Sequence, residues 1–211
     1  MFNNKDTNMV EFGLSDVKYA VLGYEAKTKK YTVGEIKSLP GAVELSLPAS
    51  GDETEFYADN GIYYADYTDN GYDGTLTIAK ITDEFKCDVL GFKQDENGVL
   101  YETADGVTNE IALWFKFAGD KMSKKRCMYR CKVSRPDIKG KTTEKTKTPN
   151  TSQMKIKAMP RLDNRLIKAS MPNDGSEIYE NFDKQLYIPA ELTSETDVSA
   201  TSETPAETSG S

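Results

Sequence analysis

Short runs in which apolar and polar residues alternate recur through most of the chain, separated by turn-forming residues, and this pattern predicts an all-β domain. The runs are VKYAVLG from Val17, YTVGEI from Tyr31, AVELSLP from Ala42, IYYADYT from Ile62 and GTLTIAKI from Gly74. They continue with EIALWFKFAG from Glu110, KRCMYRCKV from Lys125 and SQMKIKAMP from Ser152. In AVELSLP, Val43, Leu45 and Leu47 share one face and Glu44 and Ser46 the other, as a strand with one buried side requires. In ALWFKF the alternation makes Leu113, Phe115 and Phe117 the expected core face, which leaves Trp114 half-exposed or at a subunit contact, with a core position as the open alternative.

Between the runs, Asp59-Asn60-Gly61, Asp69-Asn70-Gly71, Glu96-Asn97-Gly98 and Asn173-Asp174-Gly175 supply residues that tolerate positive φ and predict tight turns. One segment breaks the β pattern. Thr82 can cap a helix whose first turn holds Asp83 and Glu84, favourable at the positive end of the helix dipole. Phe85, Val89 and Leu90 then share a side, and Gly91 can end the helix in the left-handed conformation. The expectation is therefore a β-sandwich or partly open barrel with one short flanking α-helix over about 82–91. Residues 161–189 read as transitional. From about Ala190 the chain turns to ELTSETDVSATSETPAETSGS, which has too little apolar area to offset the entropy of ordering and predicts a flexible, disordered acidic tail.

Charge is arranged in blocks. Residues 1–115 carry 9 Lys against 21 acidic residues, net −12; residues 116–168 carry 17 Lys and Arg against 4, net +13; residues 169–211 carry 1 against 9, net −8. Such blocks can form opposed patches that steer a chain toward a partner of opposite sign, including another copy of itself. Nucleic-acid binding competes as an explanation of the basic block. So does a plain reading in which Lys124, Arg126, Arg130 and Lys132, with Lys155 and Lys157, are the solvated sides of two strands.

Candidate chemistry is sparse. The chain has no histidine, which removes the commonest general base near neutral pH and the commonest zinc partner, and with them Ser-His and Cys-His hydrolases. Cys87, Cys127 and Cys131 are an odd number in a chain that starts without the order of a signal peptide, so reduced, buried thiols are expected. Cys127 and Cys131, four apart on one strand, should share a face at about 13 Å, too far to bridge. Neither phosphate-cradling glycine motif occurs. No apolar run approaches the roughly 20 residues of a membrane span, and the expectation is a soluble protein, made in a cytoplasm, with no membrane, metal or cofactor and no catalysis. The segment FYADNGIYYADYTDNGYD, from Phe56 to Asp73, sets five tyrosines among four aspartates. Calcium could use Asp69, Asn70 and Asp73, although no later glutamate completes an EF-hand loop. A carbohydrate platform could use the ring faces. The plain alternative is a partly exposed hairpin whose rings bury against a neighbouring subunit.

From Gly13 to Pro160, GLSDVKYAVL, LPGAVELSL, SGDETEFYADN, NGYDGTLTIAKITDEFKCDVLGF, the Gly98-Val99-Leu100 turn, EIALWFKFAGD and the YRCKVSRP block follow in order. This ordered set resembles the major tail proteins that form the tail tube of long, non-contractile-tailed bacteriophages. The resemblance implies a β-sandwich with one flanking helix, in which six copies close a ring and rings stack into a tube around a DNA channel. It implies residues 1–189 as one tail-tube-type domain and 190–211 as a tail outside the pattern. It also implies a virion location, DNA passing without specific binding, and partners in a tape measure protein in the lumen, a tail terminator and distal tail or baseplate proteins. It implies that a long loop or hairpin in the first half, with the terminal arms, meets the next ring, and Ser50 to Gly74 is the matching candidate. The candidate contacts between subunits or rings are Phe56, Tyr57, Tyr63, Tyr64, Tyr67, Tyr72, Trp114, Lys124, Lys125 and Arg126. The alternative function is a phage-associated carbohydrate-binding or adhesive β module using the 56–73 segment.

Overall fold

In a computed structural model of the chain, residues 11–138, 140 and 150–192 are described. The strands are β1 (Leu14–Glu25), β2 (Lys30–Val33), β3 (Lys37–Ser38), β4 (Ala42–Ser46), β5 (Ala49–Ala58) and β6 (Gly61–Ile78). After α1 (Asp83–Leu90) come β7 (Lys93–Gln94), β8 (Leu100–Tyr101), β9 (Glu110–Phe117), β10 (Lys125–Val133), β11 (Ser152–Ala158) and β12 (Lys168–Met171). A second short helix, α2 (Glu177–Asn181), and a 3-10 turn (Ala190–Leu192) follow.

The fold is all-β. One antiparallel sheet runs in the order β2-β1-β9-β10-β11-β6-β4, with β3, β12 and β5 pairing β1, β10 and β6. β4 pairs β6 and also lies against β1, so the sheet curls into a partly open barrel. Alternation sends Val17, Tyr19, Leu76, Ile78, Ile111, Leu113, Met154 and Ile156 inward to one core. α1 closes that core. Thr82 caps it by accepting the Phe85 N–H, Gly91 ends it at φ 77°, and Phe85, Val89 and Leu90 are buried, as the sequence predicts. The Tyr19 and Phe85 rings meet edge to face at 4.9 Å. Lys37 then ties the helix to the sheet through Glu84 and Asp88, at 2.8 and 2.7 Å.

Three expectations are corrected. First, both faces of β9 are buried: Trp114 is 1 % exposed, in a second core with Ala20, Ala112, Cys127 and Tyr129 on the outer face of the sheet. Second, the segment 161–189 is not a mere transition, because β12, α2 and Phe182, Leu186, Tyr187 and Ile188 form the cover of that outer face. The Trp114 Nε1–H donates to the Phe182 carbonyl at 3.0 Å and the Tyr129 hydroxyl to the Tyr187 carbonyl at 2.5 Å. A cover made in three dimensions from short, mixed segments leaves no periodic signal in sequence. Third, Cys127 and Cys131 lie on opposite faces, in the outer and inner cores respectively. The register of β10 against β9 slips by one residue between Met128 and Cys131, and such a bulge reverses the in-out phase. Burial pushes both thiols well above the ordinary cysteine range, so neither is a nucleophile near neutral pH.

Of the predicted turns, Asp59-Asn60 reverses the chain with φ of 52° and 60°. Asp69-Asn70-Gly71 does not turn: it lies inside β6, where the register against β5 slips between Ser50 and Gly51. Gly71, at φ 96°, is needed there because a Cβ would stand 2.1 Å from the Ala158 carbonyl oxygen. The tail expected from Ala190 begins with the 3-10 turn, and its residues 193–211 lie outside the described residues.

Candidate functional site

The runs at Ile62 and Gly74, separate in sequence, form one 18-residue strand, β6. Its second half belongs to the body, paired with β11 from Tyr72 to Ile78. Among the described residues its first half pairs only with β5, from Ala58↔Gly61 to Ala49↔Tyr72. The result is a two-stranded arm about 30 Å long at the usual ~3.3 Å rise per residue. Every residue from Gly51 to Asn70 is exposed except the half-buried Ala58.

The pairing decides what the arm displays. Phe56 pairs Tyr64, and the slip beside them adds Tyr63 to the same side, its ring edge-on to Phe56 at 6.5 Å. Tyr57, Ile62 and Tyr67 occupy the other side, where the Tyr57 and Tyr67 hydroxyls donate to Glu55 and Glu53 at 2.5 and 2.6 Å. Those carboxylates hold both phenols above the usual tyrosine value. Phe56 is 60 % exposed, Tyr63 75 % and Tyr67 73 %. From Ala49 to Asp73 the arm carries seven acidic residues and no Lys or Arg.

An isolated two-stranded hairpin is marginal in water, and this one exposes aromatic rings on both of its sides. Among the described residues both long edges of the arm are also unpaired, a template for another strand. The arm therefore brings Phe56, Tyr57, Tyr63, Tyr64 and Tyr67 together in one exposed element. Tyr72 stands at its base, half-buried, with its ring under Lys168 Nζ at 4.7 Å.

The remaining expected contacts fall elsewhere. Trp114 and Lys125 are buried inside the protomer and are not surface contacts. Lys125 is 6 % exposed, and its ammonium meets Asp183 at 2.5 Å and the Tyr179 carbonyl at 2.7 Å. Lys18 pairs the other oxygen of the same carboxylate. Burial opposes ionisation of Asp183, but the two lysines outweigh it and hold its carboxyl below the usual aspartate value. Lys124 and Arg126 are half-buried, and Arg126 pairs Glu11 and lies 3.7 Å from Asp120.

Six cations of the basic block are paired with carboxylates of the protomer itself, Lys125 and Arg126 among them. Lys116 pairs Asp16, Arg130 pairs Glu110 at 2.7 Å, Arg135 pairs Glu102 at 2.6 Å, and Arg161 pairs Asp163. Arg126 and Arg130 are accordingly internal partners rather than the solvated side of a strand, while Lys132, Lys155 and Lys157 are exposed as that reading has it. Among the described residues no group of three or more His, Cys, Asp and Glu side chains could hold a metal ion, and Asp69 instead accepts the Gly71 N–H. Among the same residues no helix is long and apolar enough to cross a membrane.

Sequence comparison adds no relative to this geometry: no model of a known protein family matches the chain, and no curated protein does.

Proposed function

We propose that this chain is a structural subunit that works by assembling with copies of itself, of the kind that forms the tail tube of long-tailed phages. The observation that carries the reading is the arm: five exposed rings on a two-stranded extension that the described residues of its own body leave uncovered. Heterologous contacts that close by rotation give rings, and a second complementary pair of faces stacks them. Burying the rings and the unpaired edges of the arm between subunits removes both the exposed apolar area and the open ladder. In this reading the subunit performs no chemistry. It works in the virion, with DNA passing through the lumen without specific binding and with the tape measure, terminator and distal tail proteins as neighbours. A weakly attractive or repulsive lumen suits that passage, since dense phosphate contacts would hold DNA in place.

Negative-stain electron microscopy of the concentrated full chain tests the proposal. Rings or tubes of uniform diameter are expected. Particles that stay monomeric at every concentration and bind a glycan array through the arm would replace it with the carbohydrate-binding reading.

A further inference from the structure

The arm needs a receiving surface, and the body carries one that suits it. β10 changes partner along its length, pairing β12 through Lys125–Met128 and β11 through Cys131–Val133. Where it changes, the barrel wall opens into a groove of about 310 Å3 between the β4–β6 edge and the β9–β10–β12 wall. Leu45, Leu47, Tyr72, Phe115, Phe117 and Met128 line it. Lys168 and Ser170 stand exposed on its rim. Lys168 pairs with no carboxylate among the described residues and rests on the Tyr72 ring. An apolar floor with a cation on the rim is complementary to a segment that carries rings and acids together.

The arm is such a segment, but a molecule cannot place its own arm there. Tyr72 belongs to both the groove and the base of the arm, so the tip lies about 30 Å away along a continuous β-ladder. Folding back would break that ladder.

Resting on the self-assembly reading, we infer that the groove receives the arm of a second copy. The face bearing Phe56, Tyr63 and Tyr64 lies on the apolar floor, and Asp52 and Asp66 of that face meet Lys168. That face is chosen because the opposite one holds its two glutamates on the Tyr57 and Tyr67 hydroxyls at 2.5 and 2.6 Å, whereas on this face Asp52 accepts only a longer amide bond from Asn70, at 3.1 Å. The contact joins two different patches, so it propagates from copy to copy, as rings and stacks require.

A charge-swap pair of full-length variants tests the inference. One carries Lys168→Glu and Ser170→Glu, which give an acidic groove beside an acidic arm. The other carries Asp52→Lys and Asp66→Lys, which put two cations on the Phe56–Tyr64 face of the arm beside a basic groove. All four positions are exposed, so unchanged melting of each monomer is the folding control. By sedimentation velocity, each variant alone should associate at least roughly tenfold more weakly than the parent. An equimolar mixture should regain assembly, since each arm then meets a groove of opposite sign. Parent-like assembly of both variants alone, or no gain on mixing, overturns the groove as receptor. If assembly is nevertheless lost when the arm rings are removed, self-assembly stands and only the docking site is wrong. If the parent itself never associates, the functional reading falls and takes this inference with it.

Discussion

Replacing Phe56, Tyr57, Tyr63 and Tyr64 together by serine should abolish self-association while leaving the melting temperature of the isolated subunit nearly unchanged. Each of these rings is more than half exposed, so the body gains little from them. Aromatic residues at the centre of an interface typically cost about 2–4 kcal/mol each when truncated, and the losses do not simply add. Even two such losses, about 4 kcal/mol, weaken a contact roughly a thousandfold. Sedimentation velocity across a concentration series reads association, and circular dichroism reads the melt. An association constant within a factor of two of the parent would show that the rings are not the contact. A collapse of the melting temperature would show that the arm instead supports the body.

Asp183→Ala should be the most destabilising single change outside the apolar cores. Asp183 stands between Lys18 and the buried Lys125 and fastens the cover segment to the sheet. Removing it leaves the Lys125 ammonium with the Tyr179 carbonyl and ring as its remaining partners. Breaking a buried ion pair from one side costs about 3–5 kcal/mol. For a chain of this size that is roughly 6–20 °C in melting temperature. The pH dependence has a definite sign. The folded-state value of Asp183 is lowered, so its contribution is fully present above the ordinary aspartate value and is lost as pH falls through the folded one. Thermal melts of parent and variant between pH 7 and pH 2.5 should therefore differ most at pH 7 and converge in acid. A constant offset across that range would mean that the carboxylate contributes packing rather than charge.

Local chemistry made much of the fold legible. Thr82, Phe85, Val89, Leu90 and Gly91 specify α1 within ten residues, and strand alternation specifies most of the inner core but not Val43, which the register shift between Ala42 and Glu44 leaves 54 % exposed instead of buried beside Leu45 and Leu47. Two kinds of information were not local. Bulges at Met128–Cys131 and at Ser15–Lys18 reverse which side faces inward, and an alternation count has no means of seeing them. The outer core depends on a cover segment distant in sequence, so Trp114 reads as a surface residue until Phe182 and its neighbours are placed over it. β5 stands outside the alternating runs for a simpler reason: ASGDETEFYA is exposed on both faces, and it is a strand because β6 pairs it. The candidate site was half legible. The crowding of tyrosines in 56–73 was plain, whereas the pairing of Lys125 and Arg126 within the protomer was hidden in contacts to Asp183 and Glu11.

The central claim is that the arm lies bare in the single subunit and becomes buried between subunits. Amide hydrogen exchange on dilute and on concentrated protein tests it most directly, with the amides of 51–57 and 61–70 as the readout. Expected is fast exchange on dilution and at least roughly hundredfold slowing in the assembled sample, confined to the arm and the surfaces it touches. Equal exchange in both samples, with assembly confirmed by light scattering, would contradict it.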